Sequence, residues 1–579
     1  MFLGGAIQGL EEVFHAVAGM FLKSDVIHSF HGNRQFLESD RRLDVSVTLD
    51  SCMAAVCLRH TEIPNTSKLF ADFTHHFDRL ARFYRHDPWA PDALAQAAKL
   101  AAAAYPDSRR QALVSALREQ NGLSESLDRL SQPGSVAIVT GQQVGLFGGP
   151  AYTIYKALTA VRYAEVLSAQ GIPAVPIFWL ATEDHDFAEV NHAWAFNIEH
   201  QPVRFEVGTP GTGTRPVGGL VIDEYPVELL RQVLTAFPHG AEVVDLLQQS
   251  YRNGATLGSA FGKLLRRLLP HHGLLYLCPQ DAAIREIAAP LIRQAVEAAP
   301  LLSDRLLERN AELAAAGYHA QVHFEAKTSL FFLLENGERI ALRREGETYA
   351  ANGKRYSTEE MAERATSISP NALLRPVVQD YLLPTAALIG GPAELAYLAQ
   401  TEVIYRSLDR PMPVVAPRAG FTLVEQRAAK VMERYKLTLP DTFDGVEPLH
   451  EKMAGRLVPP ALREQMLKTN AAVAAQIDAM IAQLNGFDPT LGAATAKSRD
   501  KILYQLKKIE SKTARETFRR DGRAKADATY LHSQFYYEKH LQERFYTILP
   551  FLAQHGMGLI DQVYENVKLE CPDHVILTV

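Results

Sequence analysis

The stretch Ser135-Val-Ala-Ile-Val-Thr140, continuing as Gly141-Gln-Gln-Val-Gly-Leu-Phe-Gly-Gly-Pro150, decides the fold class. The first six residues are a short β-branched apolar run, the pattern of a strand buried on both faces of a parallel sheet. A glycine-rich loop follows, and a helical pattern runs from Ala151 to about Gln170, with Ile154, Leu158, Val161 and Leu167 on one side. Gly171-Ile-Pro173 stops it. Val175–Ala181 is a second apolar run. Strand, loop, helix and strand in that order open a doubly wound α/β unit.

Working outward, Gly273–Cys278 reads as a third strand, with helices over about 282–297 and 303–316. Pro384–Ile389 reads as a fourth strand and Pro413–Ala416 as a fifth. Two insertions interrupt the series. Residues 191–270 hold short β-like pieces (His200–Val207, Pro216–Ile222) and then helices from Pro226 to Leu269. Residues 318–365 are β-rich: Asn336-Gly337 and Asn352-Gly353 are hairpin signals, and Ser357-Thr-Glu-Glu360 has capping-box spacing.

Upstream, residues 61–134 read as helices. Phe70, Phe73, Phe77, Leu80 and Phe83 mark one buried face of a helix that Asp87-Pro88 breaks. Residues 1–60 look unlike the rest, and Met53 is read as the natural start. From Phe421 the composition turns helical. Leu462, Met466, Val473, Ile477, Met480 and Leu484, then Ile502, Leu506, Ile509 and Thr513, predict two antiparallel coiled-coil helices on either side of an Asn485–Leu491 turn, within a helical domain of 421–545. Arg515, Arg519, Arg520, Arg523 and Lys525 make the second arm basic; interleaved Glu510, Glu516 and Asp521 suit a solvated face. Residues 546–579 return to the body and end strand-like at Val575–Val579.

Of 579 residues, 47% are hydrophobic and 22% charged, which excludes a disordered or low-complexity chain. The balance of 60 basic against 66 acidic residues gives −6, so a surface built throughout to coat nucleic acid or an anionic membrane is not expected. No apolar run is long enough for a membrane helix, and the N-terminus lacks a signal-peptide pattern. Four cysteines (Cys52, Cys57, Cys278, Cys571) make no disulfide framework or CxxC motif, which fits a cytoplasmic protein.

Ligands of open parallel sheets bind beyond the carboxyl ends of the strands, and three unusual segments stand there. In 141–156, Gly141, Gln142, Gln143, Gly148 and Gly149 allow close backbone approach. The helix N-terminus with Tyr152, Thr153 and Lys156 suits a phosphate or carboxylate. Neither GxGxxG nor GxxxxGK[ST] is present. Thr182-Glu-Asp-His-Asp-Phe187 places Glu183, Asp184, His185 and Asp186 after a strand, where they suit recognition, acid–base chemistry or metal binding as readily as a solvated cap. Gly390, Gly391 and Glu394 repeat the strand-then-glycine pattern, with Glu394 equally suited to capping the helix. Arg375, Gln379, Asp380 and Arg418 are weaker candidates.

Thr140–Lys156, Phe178–Phe187 with Glu189-Val-Asn191, and Ile389-Gly-Gly-Pro-Ala-Glu-Leu-Ala-Tyr397 together resemble the BshC family, cysteine ligases of bacillithiol synthesis. Phe77–Tyr84 is similar to the family's N-terminal segment, and the resemblance spans about residues 60–579. It implies a nucleotidyltransferase-like Rossmann core with two connecting insertions and an α-helical coiled-coil domain that makes a homodimer. It also implies an amide bond formed between the carboxyl of L-cysteine and the amine of glucosaminyl-malate. A carboxylate acylates poorly, so ATP is the expected activator; adenylate and acyl phosphate both stay open. The 141–156 stretch lacks the HxGH signature of adenylating relatives of such cores. On this reading the 141–156 loop holds an anion, Lys156 supplies positive charge, and Asp184, His185 or Asp186 accepts the amine's proton. Gly390, Gly391 and Glu394 form the opposite wall, and no metal is required. Two other readings are a metal-dependent hydrolase built on Glu183–Asp186, which a bound transition metal would favour, and a non-catalytic assembly protein dimerised by its coiled coil, which would respond to none of the substrates.

Overall fold

The computed structural model describes residues 56–208, 213–346 and 348–579. The start-site expectation at Met53 and the character of residues 1–55 lie outside them.

The central sheet has five parallel strands: β1 Val136–Gln143, β2 Ala174–Ala181, β3 Leu275–Leu277, β4 Thr385–Gly390 and β5 Val414–Pro417, in the spatial order β5-β4-β1-β2-β3. Along β1 the side chains divide by twos. Ala137 and Val139 join the core beneath the N-terminal helices and the helices that follow β3. Val136 and Ile138 pack with Ala160, Leu167, Ile389 and Val414 on the other face. All four are fully buried, which is why this strand shows no polar alternation. Helix α1, Tyr152–Ala169, crosses from β1 to β2. The chain leaves β1 towards β2 and later returns to β1's other side as β4. The switch point therefore lies between β1 and β4, and the crevice above it is where ligands of such sheets collect.

The first insertion is a two-stranded hairpin, His192–Phe196 with Pro202–Glu206, followed by helices Val227–Leu234, Gly240–Ser250 and Leu257–Leu268. Pro216–Ile222, expected as a strand, forms a 3-10 turn at Val217–Gly219, with a single bridge from Val221 to Thr256. The second insertion is a five-stranded sheet and reaches further than its expected limit at 365, because Ile368–Pro370 pairs with Thr328–Glu335. Both Asn-Gly turns are present, with Asn336 and Asn352 at positive φ (55° and 49°), and the Ser357–Glu360 capping box is closed.

Phe70, Phe73, Phe77, Leu80 and Phe83 are all buried but do not share one helix. The helix Lys68–His75 ends where His76 leaves helical geometry, and two 3-10 turns carry the remaining aromatics inward. Three- and four-residue spacing sets burial here without requiring a continuous helix. Phe421–Val424, expected as the helical domain's start, is a strand. It pairs in parallel with His574–Thr578, which pairs antiparallel with Val56–Leu58. The Gln542 side chain accepts from Leu423 N–H and donates to Leu423 C=O, holding that strand in place. Beyond it, α2 Pro460–Phe487 and α3 Pro489–Arg520 form the antiparallel hairpin, turning at Asp488. No residue of α2 is buried, and of α3 only Gly492. On the basic arm Glu516 takes Arg519 and Arg520 in surface pairs.

Candidate functional site

A cleft of about 700 Å³ opens over the switch point. Gly141, Gln142, Gln143, Tyr152, Lys156, Glu183, Asp184, His185, Gly391 and Glu394 all line it, so three segments distant in sequence meet on one rim. Gly141 is required by proximity: a Cβ there would stand 2.8 Å from the carbonyl oxygen of Trp179 on β2.

Other sequence candidates do not reach the cleft. Gly148, Gly149 and Thr153 are buried behind it. The Gly148 N–H donates to the Tyr251 hydroxyl (3.0 Å), the Gly149 N–H to Leu146 C=O (3.0 Å) and the Ala151 N–H to Tyr546 C=O (2.8 Å). Those donors, expected to face an anion, are spent on the first insertion, the loop itself and the C-terminal segment. Glycine is needed at 148 and 149 for backbone shape (φ 88° and 67°). Gly390 ends β4 on a neighbouring cavity of about 340 Å³, across Arg418 and Arg544 from the cleft. Asp186 is exposed outside the cleft.

Lys156 sits one turn into α1, 3% exposed. Its ammonium donates to Gly141 C=O (2.8 Å) and Gln142 Oε1 (3.0 Å) and pairs with Glu394. Burial holds the ammonium below the usual lysine range, although Glu394 pulls the other way. Glu394 also accepts the Gly391 N–H (2.8 Å). It is thus helix cap, counter-ion and cleft wall together, and it ties β4 to β1 across the switch point.

The acidic run after β2 diverges. Glu183 turns into the protein, where it takes Arg285 and the Ser369 hydroxyl (3.0 Å). Burial raises its carboxyl, and Arg285 opposes this. Asp184 faces the cleft, accepting from the Gln143 amide (2.7 Å) and the His185 N–H (2.7 Å). Burial would raise its carboxyl, but those two bonds and Arg339 bring it below the ordinary value. Gln143 donates also to Glu189 (2.5 Å), on the exposed lip. Among the described residues no three or more His, Cys, Asp or Glu side chains converge as a metal-binding group.

Sequence reading missed Arg339. The second insertion delivers it, buried, against the ring of Phe332 at 3.7 Å. It donates to Ser369 Oγ (3.1 Å) and Pro370 C=O (3.0 Å), and its Nη1 lies 2.9 Å from His185 Nδ1. A guanidinium has only donors. Nδ1 of His185 is therefore the acceptor, and the ring proton of the neutral histidine resides on Nε2. Arg285, Ser369 and Arg544 were missed as well. Arg544 is exposed at the cleft over the Tyr152 ring (5.8 Å to its centroid), and among the described residues its guanidinium has no hydrogen bond or ion pair. The weaker candidate Arg418 is buried in a two-pronged pair with Glu543 (2.8 and 2.5 Å). Arg375 lines the cleft, its guanidinium donating to Gln379 Oε1 (2.9 Å) and the Tyr397 hydroxyl (2.9 Å). Asp380, behind it, is pushed up to about 6 by burial.

Residues 55–419 match the family model described as "Bacillithiol biosynthesis BshC, N-terminal Rossmann-like domain", and residues 421–579 match "Bacillithiol biosynthesis BshC, C-terminal coiled-coil domain". The chain belongs to the BshC family. A BshC protein of Solibacter usitatus is 51% identical over 527 residues, 91% of this chain and 100% of that protein. One of Koribacter versatilis is 37% identical (90% and 99% covered), and one of Salinibacter ruber 32% (88% and 96%). All three bear the name "Putative cysteine ligase BshC". Among the described residues no helix of this BshC chain is long and apolar enough to cross a membrane.

Proposed function

We propose that this BshC protein is a cysteine ligase that joins the carboxyl of L-cysteine to the amine of glucosaminyl-malate, the last step of bacillithiol synthesis. The observation that carries the reading is the switch-point cleft, where Asp184, His185 and a set of fixed cations face one another. Asp184 accepts a hydrogen bond from the sugar amine, which attacks in its neutral form. Once nitrogen attacks an acyl carbon it becomes far more acidic, so a carboxylate held below the ordinary range still serves as its proton acceptor. His185, with its proton on Nε2, donates a hydrogen bond to the acyl oxygen on which charge develops. Arg544 and the Lys156 end of the cleft hold an anion. ATP, when bound, would supply the leaving group that a free carboxylate lacks; the exposed Arg544 guanidinium suits a polyanion and equally the malate carboxylates. Exposed apolar residues along the hairpin, including Leu467, Ile502 and Ile509 (56%, 44% and 55% exposed), support a homodimer through the coiled coil.

The test is reconstitution: purified protein with cysteine, glucosaminyl-malate and ATP, with mass-spectrometric detection of the amide. Product that forms with the wild type and falls at least 100-fold with Asp184→Asn supports the reading. No amide under any nucleotide, together with an unchanged small-thiol profile in cells lacking the gene, rejects it.

A further inference from the structure

Cys57 and Cys571 are 514 positions apart in the chain, and their sulfurs are 3.1 Å apart in the fold. Cys57 lies on Val56–Leu58, opposite Val575 in the antiparallel pairing, and Cys571 lies in the turn that leads into that partner strand. Neither sulfur borders the catalytic cleft. Cys57 is exposed and Cys571 partly so, so a small molecule in solution reaches the pair. Two thiols in such contact suit two uses, shared metal ligation or covalent pairing. Metal ligation needs further donors, and among the described residues no group of three His, Cys, Asp or Glu forms one. Closing from 3.1 Å to a disulfide's bonding distance of about 2.05 Å is a movement of about 1 Å.

We propose that Cys57 and Cys571 are a thiol–disulfide modification site, oxidised by exchange with a low-molecular-weight disulfide. One protein thiolate attacks the small disulfide, forming a mixed disulfide and releasing one small thiol. The second protein thiolate attacks the protein sulfur of that adduct, forming the Cys57–Cys571 bond and releasing the other small thiol. The two protons lost by the cysteines end on the two released thiols, and the small disulfide is the oxidant. The bond ties the strand Val56–Leu58 to the segment entering His574–Thr578. A reducing thiol pool reverses it. The inference is independent of the reaction proposed for the cleft.

The test exposes the reduced full-length protein to glutathione disulfide, blocks remaining thiols with a maleimide, and reads intact mass and tryptic peptides. Support is the loss of two alkylatable thiols with no glutathione retained, and recovery of a peptide pair crosslinked through residues 57 and 571. Cys57→Ser and Cys571→Ser variants, both conservative at exposed or partly exposed positions, should instead keep one glutathione on the remaining member of the pair. Dithiothreitol should restore both thiols in the wild type. The proposal is overturned if both cysteines stay alkylatable, if the wild type stops at a glutathione adduct on either, or if the crosslink joins either residue to Cys52 or Cys278.

Discussion

Replacing Lys156 with methionine separates the two roles that its position suggests. The change keeps the length and apolar stem but strips three acceptors of their donor: Gly141 C=O, Gln142 Oε1 and Glu394. Breaking a buried pair by removing one partner costs about 3–5 kcal/mol. Glu394 is 22% exposed at its side chain and keeps the Gly391 N–H, which places the expected loss at the lower end, about 3 kcal/mol. Glu394→Gln leaves a buried ammonium facing three neutral acceptors and should cost about 2 kcal/mol. The double variant leaves no charge behind, so its loss should fall short of the sum by about 1–3 kcal/mol. Hydrogen exchange of the β1 and α1 amides reads this locally, which avoids treating a multidomain protein as two-state. Additivity within about 0.5 kcal/mol would refute the pairing argument. Amide formation is measured on the same four proteins. The double variant, at a loss of about 2–4 kcal/mol, should be about as stable as Lys156→Met and still lack turnover; full turnover in either Lys156 variant would show that Lys156 serves the fold alone.

Glu543, held at about 2 by Arg418 against the burial that opposes it, has an ordinary value of 4.5. A depressed carboxyl stabilises above its unfolded value and loses that contribution as pH falls through its folded one, so wild-type stability should drop by roughly 3 kcal/mol between pH 5 and 2. Glu543→Gln should flatten that slope in acid titrations followed by calorimetry, and an unchanged slope would count against it. Arg339→Ala should release His185 from a single tautomer, seen as a change in imidazole ¹⁵N shifts, and lower turnover about 10- to 100-fold; a ring still fixed with its proton on Nε2 would contradict the donor assignment. Ile502→Asp combined with Ile509→Asp should convert a dimer to a monomer in light scattering, and equal masses for variant and wild type would refute a coiled-coil interface. Arg544→Ala should raise KM for the anionic substrate about tenfold with little change in kcat, whereas an unaltered KM removes it from binding.

The β1–loop–α1–β2 series was legible because strands buried on both faces are spelled as unbroken apolar runs, and because parallel sheets put their sites at strand ends. That logic points from sequence alone to Lys156, Asp184, His185 and Glu394, all of which line the cleft. It misjudged the glycine loop, since sequence does not reveal that the first insertion and the C-terminal segment would take up its N–H groups. Arg339, Arg285 and Arg544 were invisible for a related reason: each comes from a different segment, and a single arginine on a hairpin or helix carries no periodic mark. Phe421–Val424 is only four residues long, and the partner that makes it a strand, His574–Thr578, lies about 150 positions away.

The grip of Arg339 on His185 has a dynamic corollary. The guanidinium belongs to the inserted sheet and the imidazole to the core, so any breathing motion that lifts one from the other removes the Arg339–His185 hydrogen bond. The imidazole then regains its freedom to relocate its proton. Closure of this wall and the hydrogen-bonding polarity of the ring are thus one event, and a substrate that favours the closed form also selects the protonation pattern it meets.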